Sequence, residues 1–125
     1  MHNIIITQNK TGDNMNKPVI ALMCKSHNYY TKPNTSNITS PAWVLGEKRA
    51  QSLVGQTVIL TESKSTPAYI GGTITAVNHT ATQKGFDGRS IKRFDVVFTP
   101  DPAFDGNTDA IGHNGWGRGR SVCFV

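Results

Sequence analysis

A chain of 125 residues and 13.6 kDa holds one hydrophobic core and leaves no room for a second domain. Its apolar share of 37% and charged share of 17% exclude a disordered tail protein, and 12 glycines with 6 prolines suit short strands joined by turns. Thirteen Lys and Arg against eight Asp and Glu give a net charge of +5 and a pI near 9.5, a balance that favours polyanionic partners through counterion release.

Residues 1–16 mix Asn, Thr, Lys and Gly with the triplet Ile4-Ile5-Ile6 and a second methionine, Met15, and read as an N-terminal arm or an alternative-start leader. Neither that triplet nor any later stretch is long enough for a secretory core or a membrane span. Cys24 and Cys123 each sit in an apolar run, where a thiol behaves as a small hydrophobe. The expected location is therefore the cytoplasm, with both thiols reduced.

From Val19 to Cys24 the chain is continuously apolar, the pattern of a strand buried on both faces. Lys25 to Thr39 is polar with Pro33 and several Asn residues and is predicted as a long loop, a class of segment that often carries function. Ser40-Pro41 has the character of a helix start, so a helix is predicted over 41–53, with Trp43, Ala50 and Leu53 facing inward, Gly46 weakening its middle and Val54-Gly55 ending it. Strands are expected over 57–62 and 68–77. Within the latter, Gly71-Gly72 marks a bulge, a bend or a close approach of another backbone. A second loop is expected over 78–90, and then Phe94, Val96 and Phe98 alternate as a half-buried strand stopped by Pro100-Asp101-Pro102. A third loop spans 100–119, and 121–125 closes as a pinned apolar strand. The order predicts a mainly β (α+β) domain: a small, bent barrel of about five to six strands with one main helix.

The helix-to-strand stretch from Trp43, with Val54-Gly55-Gln56-Thr57-Val58 and Ile70-Gly71-Gly72-Thr73-Ile74, resembles the middle of PUA-like domains, particularly their EVE and ASCH branches. In those families a helix bearing Trp and Arg leads to a Val-Gly-Asp-x-Val strand start and then to a Gly-rich strand. The chain departs at Gln56, where an acidic residue is usual, and its C-terminal part lacks the later signatures, which leaves the branch open. The resemblance implies that residues 17–125 form one PUA-like β-barrel domain. It also implies a pocket for a single, often modified, nucleobase between the loop after the first strand and the Trp-bearing helix.

Reading an unpaired base requires a flat apolar surface, edge-reading polar groups and cations for flanking phosphates. Ser26, His27, Asn28, Tyr29 and Tyr30 supply aromatic and polar groups directly after the first strand, and Trp43 and Trp116 supply further stacking surfaces. Lys48, Arg49, Lys92, Arg93, Arg118 and Arg120 are the candidate phosphate ligands. Lys84 and Arg89 extend the cluster around Lys92 and Arg93, while Trp116 is interleaved with glycines and arginines as in RGG-like segments. Each group has a plain structural alternative: the tyrosines as caps of the barrel, Trp43 as core anchor, Trp116 folded back over the sheet, and the cations as a solvated face.

No catalytic set stands out. His27, His79 and His113 with Asp87, Asp101, Asp105 and Asp109 show no metal-ligand spacing, and the acidic loop lacks the terminal Glu of a calcium loop. No cofactor or metal is expected. The sequence therefore favours a nucleic-acid-binding module over an enzyme, with a small partner-binding protein of the phage or plasmid inhibitor type as the alternative.

Overall fold

Ile20, Ala21 and Leu22 are all fully buried, as a continuous apolar run requires, because the strand they form lies inside a sheet covered on both faces. The computed structural model describes residues 17–25, 27–31, 35–116 and 121–125, and the arm assigned to residues 1–16 lies outside them. The strands are β1 (Ile20–Met23), β2 (Tyr30–Thr31), β3 (Ile38–Val44), β4 (Thr57–Thr61), β5 (Ala68–Lys84), β6 (Ser90–Pro100) and β7 (Val122–Phe124). A helix, α1 (Glu47–Ser52), precedes β4, and short 3-10 turns lie at Pro102–Phe104 and Asn114–Trp116.

These seven strands make one sheet in the order β2-β3-β6-β5-β4-β1-β7. All its pairings are antiparallel except β1 with β4. A parallel pair needs a crossover, and the segment carrying β2, β3 and α1 provides it. Ile20 and Leu22 point to the face where Val58, Leu60, Ile74, Phe94, Val96 and Phe98 pack with Ala50 and Leu53 of the helix region. Ala21, Ile59 and Cys123 point to the other face, beneath Phe104, Ala110 and Trp116. Among the described residues the mainly β class with one main helix is therefore as the sequence predicts, while the strands number seven and not five to six.

Gly71 and Gly72 mark a close approach of neighbouring backbone. A Cβ on Gly71 would lie 2.6 Å from the Val58 carbonyl oxygen and 2.7 Å from Phe104 Cβ, and Asp101 N donates back to the Gly71 carbonyl at 2.8 Å. The missing side chain lets the turn after β6 fold down and seat Phe104 on the sheet.

Three expectations are corrected. The sheet does not close into a barrel among the described residues: β2 and β7 stand at opposite edges, and strands of two and three residues offer too few ladder bonds to complete a ring. The helix expected over 41–53 shrinks to Glu47–Ser52, because Ser40, Pro41 and Trp43 belong to β3, whose register shifts between Ser40 and Trp43. A proline, lacking an N–H, is tolerated where a bulge interrupts the ladder. Most of the loop expected over 78–90 is a long ribbon in which Asn78 to Lys84 pair with Asp95 to Ser90. Among the described residues no helix is long and apolar enough to cross a membrane.

Candidate nucleic-acid interface

Where β3 gives way to α1, a cleft of about 690 Å³ opens, lined by Trp43, Val44, Leu45 and Gly46, by Arg49 and Arg93, and by Val122 and Phe124 of β7. Pockets for small ligands run from roughly 300 to 1,000 Å³, so the cleft has the volume for one nucleotide unit. The bulge in β3 places Trp43 opposite Phe94 of β6, and Trp43 Nε1 donates to Ser40 Oγ at 2.8 Å, which fixes the half-buried indole. From the helix, the Arg49 guanidinium lies 4.1 Å from the centroid of the Phe124 ring, a cation–π contact that holds the charge at the wall. Arg93 Nε donates to Gln83 Oε1 at 3.1 Å, which holds this planar fork at the cleft lining.

The structure thus gathers Trp43, Arg49 and Arg93 from the sequence-assigned set. Lys48 is exposed on α1 and lies outside the cleft lining. Lys92 pairs with Glu47, Nζ to Oε1 at 3.2 Å, so its charge is partly compensated at the edge of the site. Phe124 escaped the sequence reading, since its role depends on β7 lying against β1 beside the helix.

The residues after Cys24 go elsewhere. His27, with a left-handed φ of 51°, stacks on Tyr69 of β5 at 3.7 Å and 5° between planes, and its Nε2 lies 3.4 Å from Glu62 Oε2. Tyr29 stacks more loosely on the same Tyr69 ring at 6.2 Å. Asn28 is exposed and Tyr30 lies half exposed on edge strand β2. None of these four lines the cleft. The single cavity expected between this loop and Trp43 is therefore corrected to an aromatic stack on β5 and a separate cleft at β3. Ser26 lies outside the described residues.

Tyr69 anchors that stack: its hydroxyl donates to the Cys24 carbonyl at 2.9 Å. Burial first, and hydrogen bonding with Cys24 second, push its phenol well above the ordinary tyrosine range. With the folded value raised, this stabilising contribution is complete below about pH 10 and declines above it, where the unfolded chain ionises and the fold keeps its proton. Tyr69→Phe is expected to lose about 1 kcal/mol at neutral pH and to flatten the alkaline decline, as read from urea midpoints at neutral and alkaline pH.

Trp116 corrects another assignment. The residue is buried, its Nε1 donates to the Ala110 carbonyl at 2.7 Å, and it packs with Ile59 and Phe104. An interior indole with its N–H already engaged presents no face for a base, so the folded-back alternative holds. Arg118 and Arg120 lie outside the described residues. Cys123 Sγ sits 3.6 Å from His113 Nδ1, yet burial pushes the thiol up and keeps it protonated, unlike a nucleophilic thiolate. Among the described residues no group of three or more His, Cys, Asp or Glu is placed to hold a metal ion. In the acidic loop, Asp101 Oδ1 accepts from Ala103 N at 2.9 Å and Asn107 Oδ1 accepts from Asp109 N at 2.9 Å, which uses these oxygens for turn formation. Comparison with family models, with curated proteins and with solved structures finds no match.

Proposed function

We propose that the protein binds nucleic acid and seats one unpaired base in the cleft beside Trp43. The observation that carries this reading is the convergence of a half-buried indole and two guanidiniums, Arg49 and Arg93, on one cavity. An indole face stacks on any base, and arginine forks bind the phosphates on either side of it. The net charge of +5 supports the same assignment, whereas the pocket that the PUA-like resemblance implies lies elsewhere, since here Trp43 is on a strand and only Arg49 on the helix.

The test is a titration with short single-stranded DNA and RNA, with and without modified bases, across a salt series. Binding is expected to weaken linearly in log[salt], with a slope of about −0.7 per phosphate neutralised, and tryptophan fluorescence is expected to be quenched as a base covers Trp43. The absence of binding at low salt refutes the proposal.

A further inference from the structure

The β5–β6 ribbon leaves the sheet and carries features that the cleft does not use. Phe94 is the last buried residue on the β6 side, and the four residues from there to Ser90 extend the ribbon by about 13 Å. At its tip Phe86 is fully exposed, at 114% of its reference surface. An isolated apolar side chain on a surface is ordinary, but three further features set this one apart.

The first is that the tip is held in one shape. Gly85 N donates to the Arg89 carbonyl at 2.8 Å and Gly88 N to the Gly85 carbonyl at 3.0 Å. Asp87 Oδ1 accepts from Arg89 N at 3.0 Å, and Gly88 takes φ of +80°, a conformation that favours glycine. The ring is therefore presented by a closed turn. The second feature is charge. Lys84, Arg89, Lys92 and Arg93 lie along this arm; its carboxylates are Asp87, which pairs with Arg89 at 3.4 Å, and Asp95 at its base, while Glu47 reaches Lys92 from α1. The third is continuity, because Arg93 belongs both to the arm and to the cleft lining.

A fully exposed ring among cations, on an arm that begins at a base-sized cleft, matches a strand whose phosphates run along the arm and whose bases meet the ring. We infer that the β5–β6 arm is a second nucleic-acid contact, with Phe86 stacking on a base further along the strand from the nucleotide that occupies the cleft. The inference rests on the proposed function and adds to it the path of the strand.

The experiment compares two strands of about 16 nucleotides, one of oligothymidine and one abasic with the same phosphates, against wild type, Phe86→Ala, Phe86→Trp and Arg49→Gln. Phe86→Ala is expected to weaken oligothymidine binding about tenfold and to leave abasic binding unchanged, while Phe86→Trp retains wild-type affinity. Equal loss on both strands, or no loss on either, overturns the stacking role. If Phe86→Ala binds as wild type does while Arg49→Gln is weakened, the arm inference fails and the cleft reading stands. If Phe86→Ala is weakened and Arg49→Gln is not, the arm is retained and the cleft reading fails. A wild-type protein that ignores both strands but sediments with anionic vesicles through Phe86 overturns both.

Discussion

Gly72→Ala is expected to destabilise the protein by about 3 kcal/mol or more, a large part of the roughly 5–15 kcal/mol typical of a domain. Gly72 lies on β5 between Val58 of β4 and Pro100 of β6, and a Cβ placed there would fall onto the Thr99 carbonyl. A backbone carbonyl in a paired strand has no rotamer by which to move aside. Relief therefore requires β5 and β6 to separate, which breaks ladder bonds at the centre of the sheet. Gly46→Ala is the control: no atom lies within 4 Å of its would-be Cβ, its φ of −68° suits any residue, and its loss should stay under about 1 kcal/mol. Chemical denaturation of the pair gives the comparison, with an equally small loss in both variants refuting the close-approach account.

Replacing both cleft arginines, Arg49→Gln with Arg93→Gln, is expected to weaken binding to single-stranded oligonucleotides by at least about 100-fold at low salt, since each lost charge-assisted contact is worth about 1.5–3 kcal/mol. The same double variant should lower the salt dependence by about 1.4 in slope, 0.7 for each phosphate contact. Both residues lie at the cleft surface, and the Phe124 contact of Arg49 contributes only about 0.5–1 kcal/mol, so the fold should persist. Unchanged affinity with an unchanged slope would place the phosphate contacts elsewhere. Lys48→Gln, outside the cleft lining, provides the matched charge control.

The parts of this fold that sequence revealed are those where one residue pattern has one physical meaning. Val19 to Cys24 is apolar without interruption, and only burial on both faces accounts for that. Phe94, Val96 and Phe98 alternate and duly share one core. By contrast, Asn78 to Lys84 is almost wholly polar because the ribbon it forms is largely solvated on both faces, so no periodicity distinguishes strand from loop. Ser40-Pro41 presents the features of a helix start, but the same missing N–H suits a bulge, and the pairing partner that decides between them lies more than fifty residues away on β6. The site was legible in its members and illegible in its assembly. Trp43, Arg49 and Arg93 are singled out by residue type and line one cleft, whereas Phe124 joins them only through the placement of β7. For Trp116, the deciding partner is a main-chain carbonyl at Ala110, which side-chain composition does not reveal.

The antiparallel pairing of β7 with β1, in which Phe124 lies opposite Ile20, joins segments from the two ends of the described chain. Contacts of such long sequence separation form late, after the more local hairpins. Because Phe124 lines the cleft and packs against Arg49, the cleft is complete only when β7 docks. A growing polypeptide would thus lack this cleft wall until β7 has been synthesised, and capture of an oligonucleotide at the proposed site would serve as a readout of β7 docking.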